Sequence, residues 1–260
     1  MPPMTYPPAM QPNRDEPAWL IEVPDTVVRV PDLEVDVRDG APSRSQLREP
    51  EQVAIRLYQA SKRIFDVVVV VALSPIWLPI YTLIALAILA VDGRPIHFKD
   101  PRVGMGGKDL SVIKFRTMHS SAKTDLAALL ATDPALQAEF SQFAKLRSDP
   151  RVIPIGRFLR RLSLDEIPQL FCVLKGEMSL VGPRPLSRWE LERFYAGASK
   201  LVLSIPPGLT GLWQICGRSA LSLEERVPLD VRYVLERRFT LDLSILIRTV
   251  PLVLRGHGAV

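Results

Sequence analysis

The sequence predicts a mostly helical α+β domain, cytosolic and carried on a re-entrant membrane helix that is broken at a Ser-Pro pair. Three observations predict it. Val67 to Val91 contains 25 residues without a charge, enough apolar chain to cross a bilayer core. Ser74-Pro75 and Pro79 interrupt that run, and proline inside a helix removes a backbone donor and bends the axis. Beyond it, apolar residues recur mostly at helical spacing, with short alternating stretches and proline or glycine turns between them.

Residues 1–50 read as a disordered tail. They hold ten of the 24 prolines, with five basic and nine acidic residues, and prolines break every candidate element. Val27–Val37 alternates apolar and charged residues, which leaves a short strand or a docking segment open. Residues 51–95 form the membrane-associated hairpin. Gln52–Asp66 is helical in pattern and leads into the apolar run. Arg56, Lys62 and Arg63 precede that run, and Arg94, Lys99, Arg102 and Lys108 follow it. A simple span places its positive flank in the cytoplasm only. Two positive flanks favour a hairpin that dips into the inner leaflet and returns, over a spanning helix or a buried core helix. Carbonyls freed at the break need a donor, and Ser74 is placed to supply one.

Residues 96–260 form the cytosolic domain. Ile96–Phe98 and Leu110–Phe115 read as short strands around the turn Gly104–Gly107. Ala122–Leu146 is amphipathic and helical. Ile153–Leu164 mixes apolar residues with Arg157, Arg160 and Arg161, the pattern of an interfacial helix with cationic anchors. Ser187–Leu203, Leu223–Arg237 and Ser244–Leu254 add further helices.

Composition narrows the partners. Residues 51–260 carry 28 basic and 19 acidic residues, which suits phosphorylated molecules or anionic headgroups. Aromatic content is 7%, and no basic run is interleaved with aromatics, which disfavours nucleic acid. Cys172 and Cys216, with His97, His119 and His257, have neither zinc spacing nor a disulfide framework. A reduced, cytosol-facing body is expected, and the proline-rich start lacks a signal-peptide pattern.

The densest polar motif is Ser163-Leu-Asp-Glu-Ile-Pro-Gln169. Ser-x-x-Glu is a capping box, and acids are common in a helix's first turn. On spacing alone, capping is the stronger reading and chemistry the weaker; the two are compatible. A helix N-terminus is also a natural phosphate site, and adjacent acids can divide labour, one holding a divalent cation and the other attacking. Arg147, Arg151, Arg157, Arg160 and Arg161 precede the motif. Arg184 follows, clamped by Pro183 and Pro185 in a rigid segment suited to a bidentate phosphate contact. Lys114-Phe115-Arg116 alternates, so both cations would leave one strand face and could clamp an anion. The glycines before Lys108 lack Walker spacing. Pro206–Gln214 reads as a rigid loop of unassigned purpose.

The string Ser163–Gln169, followed by Leu174-Lys-Gly-Glu-Met-Ser-Leu-Val-Gly-Pro-Arg-Pro185, resembles the bacterial sugar transferase family, the monotopic phosphoglycosyl transferases that initiate exopolysaccharide synthesis. The resemblance continues through Lys62-Arg-x-x-Asp66, Ser74-Pro75, Arg102-Val-Gly104, Lys114-Phe-Arg-Thr-Met118, Asp149-Pro-Arg-Val152, Pro207-Gly-Leu-Thr-Gly-Leu-Trp-Gln214, Gly217-Arg218, Leu229-Asp230 and Asp242. It implies a UDP-sugar donor, with galactose or glucose as the first sugar, and undecaprenyl phosphate as acceptor. It further implies Mg²⁺, release of UMP and a polyprenyl-diphosphate sugar product, at the cytoplasmic face of a bacterial inner membrane. By position, Asp165 resembles the nucleophile that forms an aspartyl phosphosugar, and Glu166 the Mg²⁺-holding residue. Lys114, Arg160 and Arg184 match cations expected near the phosphates, and Arg116 and Pro185 complete the expected substrate-binding set. Asp100 stands where the family usually has Gln, Cys172 where it has Asn, Pro206 where it has a cation and Cys216 where it has Ser. Residues 1–50 could recruit polysaccharide-assembly proteins, and a non-catalytic adaptor is the alternative reading.

Overall fold

The computed structural model describes residues 27–30, 33–36, 49–119, 122–143, 146, 148–217 and 221–255. The tail contributes an antiparallel hairpin, β1 (Val27–Val30) with β2 (Leu33–Asp36). This is the strand that the alternation of Val27–Val37 left open; most of the expected disordered tail lies outside the described residues.

Helix α1 (Glu49–Ala72) carries the first six residues of the apolar run, and α2 (Ser74–Asp92) carries most of the rest. The break falls at Leu73, where the Ser-Pro pair predicts it. Pro75 has no N–H to give, so the ladder re-forms on one carbonyl: Ile76 and Trp77 both donate to Leu73 O, at 3.0 and 3.1 Å. The Val70 carbonyl freed by the break is met by the Trp77 indole at 2.9 Å. The donor is therefore Trp77, one turn beyond the break, and not Ser74 as the sequence suggested. Pro79 is carried inside α2 without ending it. Among the described residues, α2 is the one helix long and apolar enough to cross a membrane. Ile64, Val68 and Val71 on α1, and Leu83, Leu86 and Val91 on α2, are exposed.

The chain then folds back as an antiparallel pair, β3 (His97–Val103) and β4 (Asp109–Phe115), with His97 opposite Phe115 and Val103 opposite Asp109. The expected single helix over Ala122–Leu146 is two, α3 (Ala122–Thr132) and α4 (Pro134–Phe143). Pro134 cannot continue α3, and Asp133 Oδ1 caps the new start by accepting from the Ala135 amide at 2.8 Å. α5 (Pro154–Arg161) begins with proline in its first turn. α6 (Gln169–Lys175) leads to a parallel pair that periodicity did not reveal, β5 (Ser179–Val181) and β6 (Gly208–Thr210). Between them the predicted helix over Ser187–Leu203 is two pieces, α7 (Arg188–Phe194) and α8 (Ser199–Val202). α9 (Leu212–Cys216), α10 (Leu223–Glu236) and α11 (Phe239–Arg255) close the chain, and β1 lies against α10.

The main core gathers Val70 and Trp77 with Val112, Val173, Met178, Tyr195, Leu201, Val231, Tyr233 and Ile245. A smaller cluster packs Ile84 and Ile88 of α2 against Phe115 and Leu159. The apolar helices are thus continuous with the domain core. A polar knot crosses the same seam. Lys62 of α1 lies 3.1 Å from Asp242 of α11, which also accepts from the hydroxyls of Tyr58 at 2.8 Å and Tyr233 at 2.7 Å. Asp66 accepts from the Ser179 hydroxyl at 2.6 Å. Buried charges persist when they are paired and hydrogen-bonded in this way.

Candidate active site

The acid pair sits in a 3-10 turn, Leu164–Glu166, between α5 and α6. Ser163 before it is left-handed, with φ 54 and ψ 24, and its side chain makes no capping hydrogen bond. An N-cap needs extended backbone to aim its side chain down the helix, so the capping reading favoured by spacing fails here. Capping boxes form instead at Ser187 with Glu190 and at Ser222 with Glu225. Freed from that duty, Asp165 and Glu166 are both partly exposed.

Three segments bring cations to them. Lys114, next to the end of β4, places its ammonium 3.0 Å from Glu166 Oε1. Arg160 is set by a close approach of backbones: a Cβ on Gly156 would meet Thr117 O at 2.3 Å. One turn later Arg160 Nε donates to Thr117 Oγ1 at 2.9 Å, and its guanidinium acts electrostatically on Asp165. Arg184 acts on Glu166 from the Pro183–Pro185 loop. That loop is held from below by Arg102, which donates to the Pro185 carbonyl at 3.3 Å and pairs with Glu190 and Asp100, each at 2.7 Å. Asp100, which departs from the family's usual Gln, thus gives Arg102 a second carboxylate.

The environment pushes the two acids apart. Burial and the adjacent Glu166 carboxylate raise Asp165 to about 6, against the pull of Lys114 and Arg160. Burial also acts to raise Glu166, but Lys114, with help from Arg184 and Gln169, more than offsets it and holds Glu166 below the ordinary carboxylate range. Glu166 is a fixed anion paired with a cation. Asp165 has no such partner within salt-bridge distance among the described residues and is the more basic of the two. That difference suits a nucleophile beside a charge-holding neighbour.

Other predicted residues go elsewhere. Arg116 does not join Lys114, because β4 ends at Phe115 and the alternation ends with it. Its buried guanidinium pairs with Asp92 at 2.9 Å and takes the carbonyls of Asp92 and Gly93 at the end of α2. Arg151 is committed to Asp149 and to the Ala122 carbonyl. Arg157 and Arg161 are exposed, and Arg147 lies outside the described residues. Ser74 and Pro75 mark the helix break, far along the chain from the acids.

A second polar layer beside Arg184 escaped the sequence reading. Backbone packs on backbone where Gly182, Gly208 and Gly211 cross; a Cβ on Gly208 would lie 2.1 Å from Gly182 N. This crossing sets Arg184 beside Trp213, its guanidinium carbon 5.5 Å from the ring centroid, while Arg226 of α10 stands 4.5 Å from the same ring. Tyr195 donates to Asp230 at 2.8 Å. Trp213 and Asp230 were visible only as members of longer motifs. Arg226 had no sequence signal, since α10 reads as an ordinary amphipathic helix.

Comparison with known proteins bears on this arrangement. The family model described as bacterial sugar transferase matches residues 57–256. A UDP-galactose-lipid carrier transferase of Erwinia amylovora is 41% identical over 213 residues, which is 82% of this chain and 44% of that protein. An undecaprenyl-phosphate galactose phosphotransferase of Salmonella typhimurium is 42% identical with the same coverage. The exopolysaccharide production protein ExoY of Sinorhizobium fredii is 41% identical over 203 residues, 76% of this chain and 88% of that one. The chain thus spans less than half the length of the first two relatives and most of the third.

Proposed function

The chain belongs to the bacterial sugar transferase family, and from that premise we propose that it moves a hexose 1-phosphate from a UDP-sugar to undecaprenyl phosphate as the first step of exopolysaccharide synthesis. The observation that carries the reading is the divided acid pair: Asp165 raised and without a salt-bridge partner among the described residues, Glu166 lowered and paired with Lys114 at 3.0 Å.

In the first half-reaction a carboxylate oxygen of Asp165 attacks the phosphorus that bears the sugar. The bond from that phosphorus to the bridging oxygen breaks, UMP leaves with the electron pair, and the phosphosugar is esterified to Asp165. An oxygen of the lipid phosphate then attacks the same phosphorus, which releases the Asp165 carboxylate and yields a lipid diphosphate sugar. Phosphoryl transfer depends mostly on positioning and charge neutralisation. Lys114, Arg160 and Arg184 supply positive charge to the acids from three separate segments, and Arg102 holds Pro185 and so fixes Arg184.

The residues fit a magnesium ion. That ion takes one or two protein carboxylates and completes its shell with substrate phosphates and water, and two adjacent carboxylates stand here beside phosphate-binding cations. Glu166 would hold it, with Lys114 fixing the carboxylate. When bound, the ion would neutralise charge on the phosphoryl oxygens.

The exposed apolar residues of α1 and α2 support insertion in the inner leaflet of a bacterial cytoplasmic membrane. The helix break at Leu73 supports a re-entrant path, which leaves the acid pair on the cytoplasmic side. Galactose or glucose is the expected sugar.

The test is incubation of the full chain in membranes with UDP-sugars, Mg²⁺ and undecaprenyl phosphate. UMP release with formation of a lipid diphosphate sugar is expected. Release of UDP would mark an ordinary glycosyltransferase and overturn the proposal.

A further inference from the structure

Among the described residues, four buried side-chain atoms in the layer beside Arg184 have no hydrogen-bond partner: Trp213 Nε1, Gln214 Oε1, Arg226 Nε and Asp230 Oδ1. They are neighbours. Arg226 stands over the Trp213 ring at 4.5 Å, Asp230 follows Arg226 by one turn of α10, and Gln214 Oε1 lies over the glycine crossing, 2.9 Å from where a Gly211 Cβ would be. Arg226 and Asp230 are almost wholly buried, at 2% and 1% exposure.

Burying a polar atom without a partner is unfavourable, so four together signal a group that the protein is built to receive. Their chemistry restricts that group. An indole N–H and a guanidinium N–H donate, while an amide oxygen and a carboxylate oxygen accept. A sugar hydroxyl both donates and accepts, so a hexose ring meets such a set, whereas a bare phosphate offers acceptors only. Position agrees, because Arg184 touches the layer through Trp213 and acts on Glu166 on its other side. The sugar is joined to the attacked phosphorus through a single oxygen.

On the reading above that Asp165 takes a phosphosugar from a UDP-sugar, we infer that Trp213, Gln214, Arg226 and Asp230 form the subsite that reads the hydroxyls of the donor's hexose. The subsite is assembled from β6–α9 and α10, behind Arg184. Asp230 is fixed for this role through its second oxygen, which accepts from Tyr195.

The experiment compares kcat/KM over a panel of UDP-hexoses that differ at single hydroxyls, together with inhibition by UMP, which lacks the hexose. It uses wild type, Asp230→Asn, and the milder Trp213→Phe and Gln214→Leu at partly exposed positions where the fold should hold. Each variant should lose about 10–100-fold on the preferred hexose. Loss on an epimer changed at the hydroxyl that the residue reads should be much smaller, and UMP inhibition should stay within about threefold of wild type. Equal losses across all hexoses, weakened UMP inhibition, or unchanged discrimination in both mild variants would each overturn the inference. A wild-type enzyme that releases UDP, or turns over no UDP-sugar, would instead overturn the proposed reaction, so the two failures are distinguishable.

Discussion

Asp165 and Glu166 are neighbours in sequence with opposite electrostatic fates: burial and the adjacent carboxylate raise Asp165, whereas at Glu166 the paired lysine more than offsets burial. Lys114 pairs with Glu166 at 3.0 Å and leaves Asp165 raised to about 6. As the proposed nucleophile Asp165 must be ionised, so kcat/KM should fall as pH drops through about 6, checked by a pH–rate profile of UMP release. Lys114→Met removes a charge that lowers both acids, and it should move that limb to higher pH. Asp165→Asn should reduce turnover on the order of 10⁴-fold or more, as loss of a nucleophile does elsewhere; full activity in that variant would exclude the role. The same substitution has a thermodynamic signature. The folded-state pKa of Asp165 lies above its ordinary 3.8, so the folded protein holds the proton more tightly over that interval. The stability this gives is complete below 3.8 and lost as pH rises through about 6. Asp165→Asn should therefore raise Tm relative to wild type at pH 8, and by less at pH 5.

Elements decide which residues reach the site, and here sequence reasoning divides clearly. The helix break was legible because Ser-Pro has a steric effect independent of context. The acids and Lys114 were legible as ordered motifs. Arg116 was not, since the alternation that pairs it with Lys114 holds only inside a strand and β4 stops one residue short. The capping box was legible as spacing but misplaced: spacing matches at Ser163, Ser187 and Ser222, and only the last two have the extended backbone that capping requires. The parallel pairing of β5 with β6 was invisible, because three-residue strands carry no period. Arg116 makes a prediction at this scale. It ties the end of α2 to the strand that carries Lys114, through a mostly buried pair with Asp92 and two carbonyls. Arg116→Gln should destabilise the domain by about 3 kcal/mol, measured by denaturant unfolding in detergent. Turnover should fall with it while the pH limb near 6 stays in place; a shifted limb would put Arg116 in the acid cluster after all.

For the whole molecule, the question is how a helix with an apolar surface and a domain with a charged site share one core. Val70 and Trp77 of the apolar helices are buried with residues of α6, α10 and α11, so the domain is not hung from a flexible anchor. A re-entrant path keeps both flanks of the apolar run on one face. Single cysteines at positions 10 and 120 should then react with an impermeant reagent from the same side of the membrane, and modification from opposite sides would establish a span.

The knot of Lys62, Asp66 and Asp242 also has a history in time. Tyr58 and the Asp242 it bonds are 184 residues apart, roughly 10–40 s of ribosomal synthesis. Throughout that interval Lys62 has only Asp66, one turn along the same helix at 3.8 Å, to pair with, while the apolar run just behind them has already left the ribosome. Emergence of the apolar run thus precedes closure of the domain, and α11 is the helix that completes the packing of the first. A chain cut short before Asp242 would leave Tyr58, Lys62 and Tyr233 without the carboxylate that joins them.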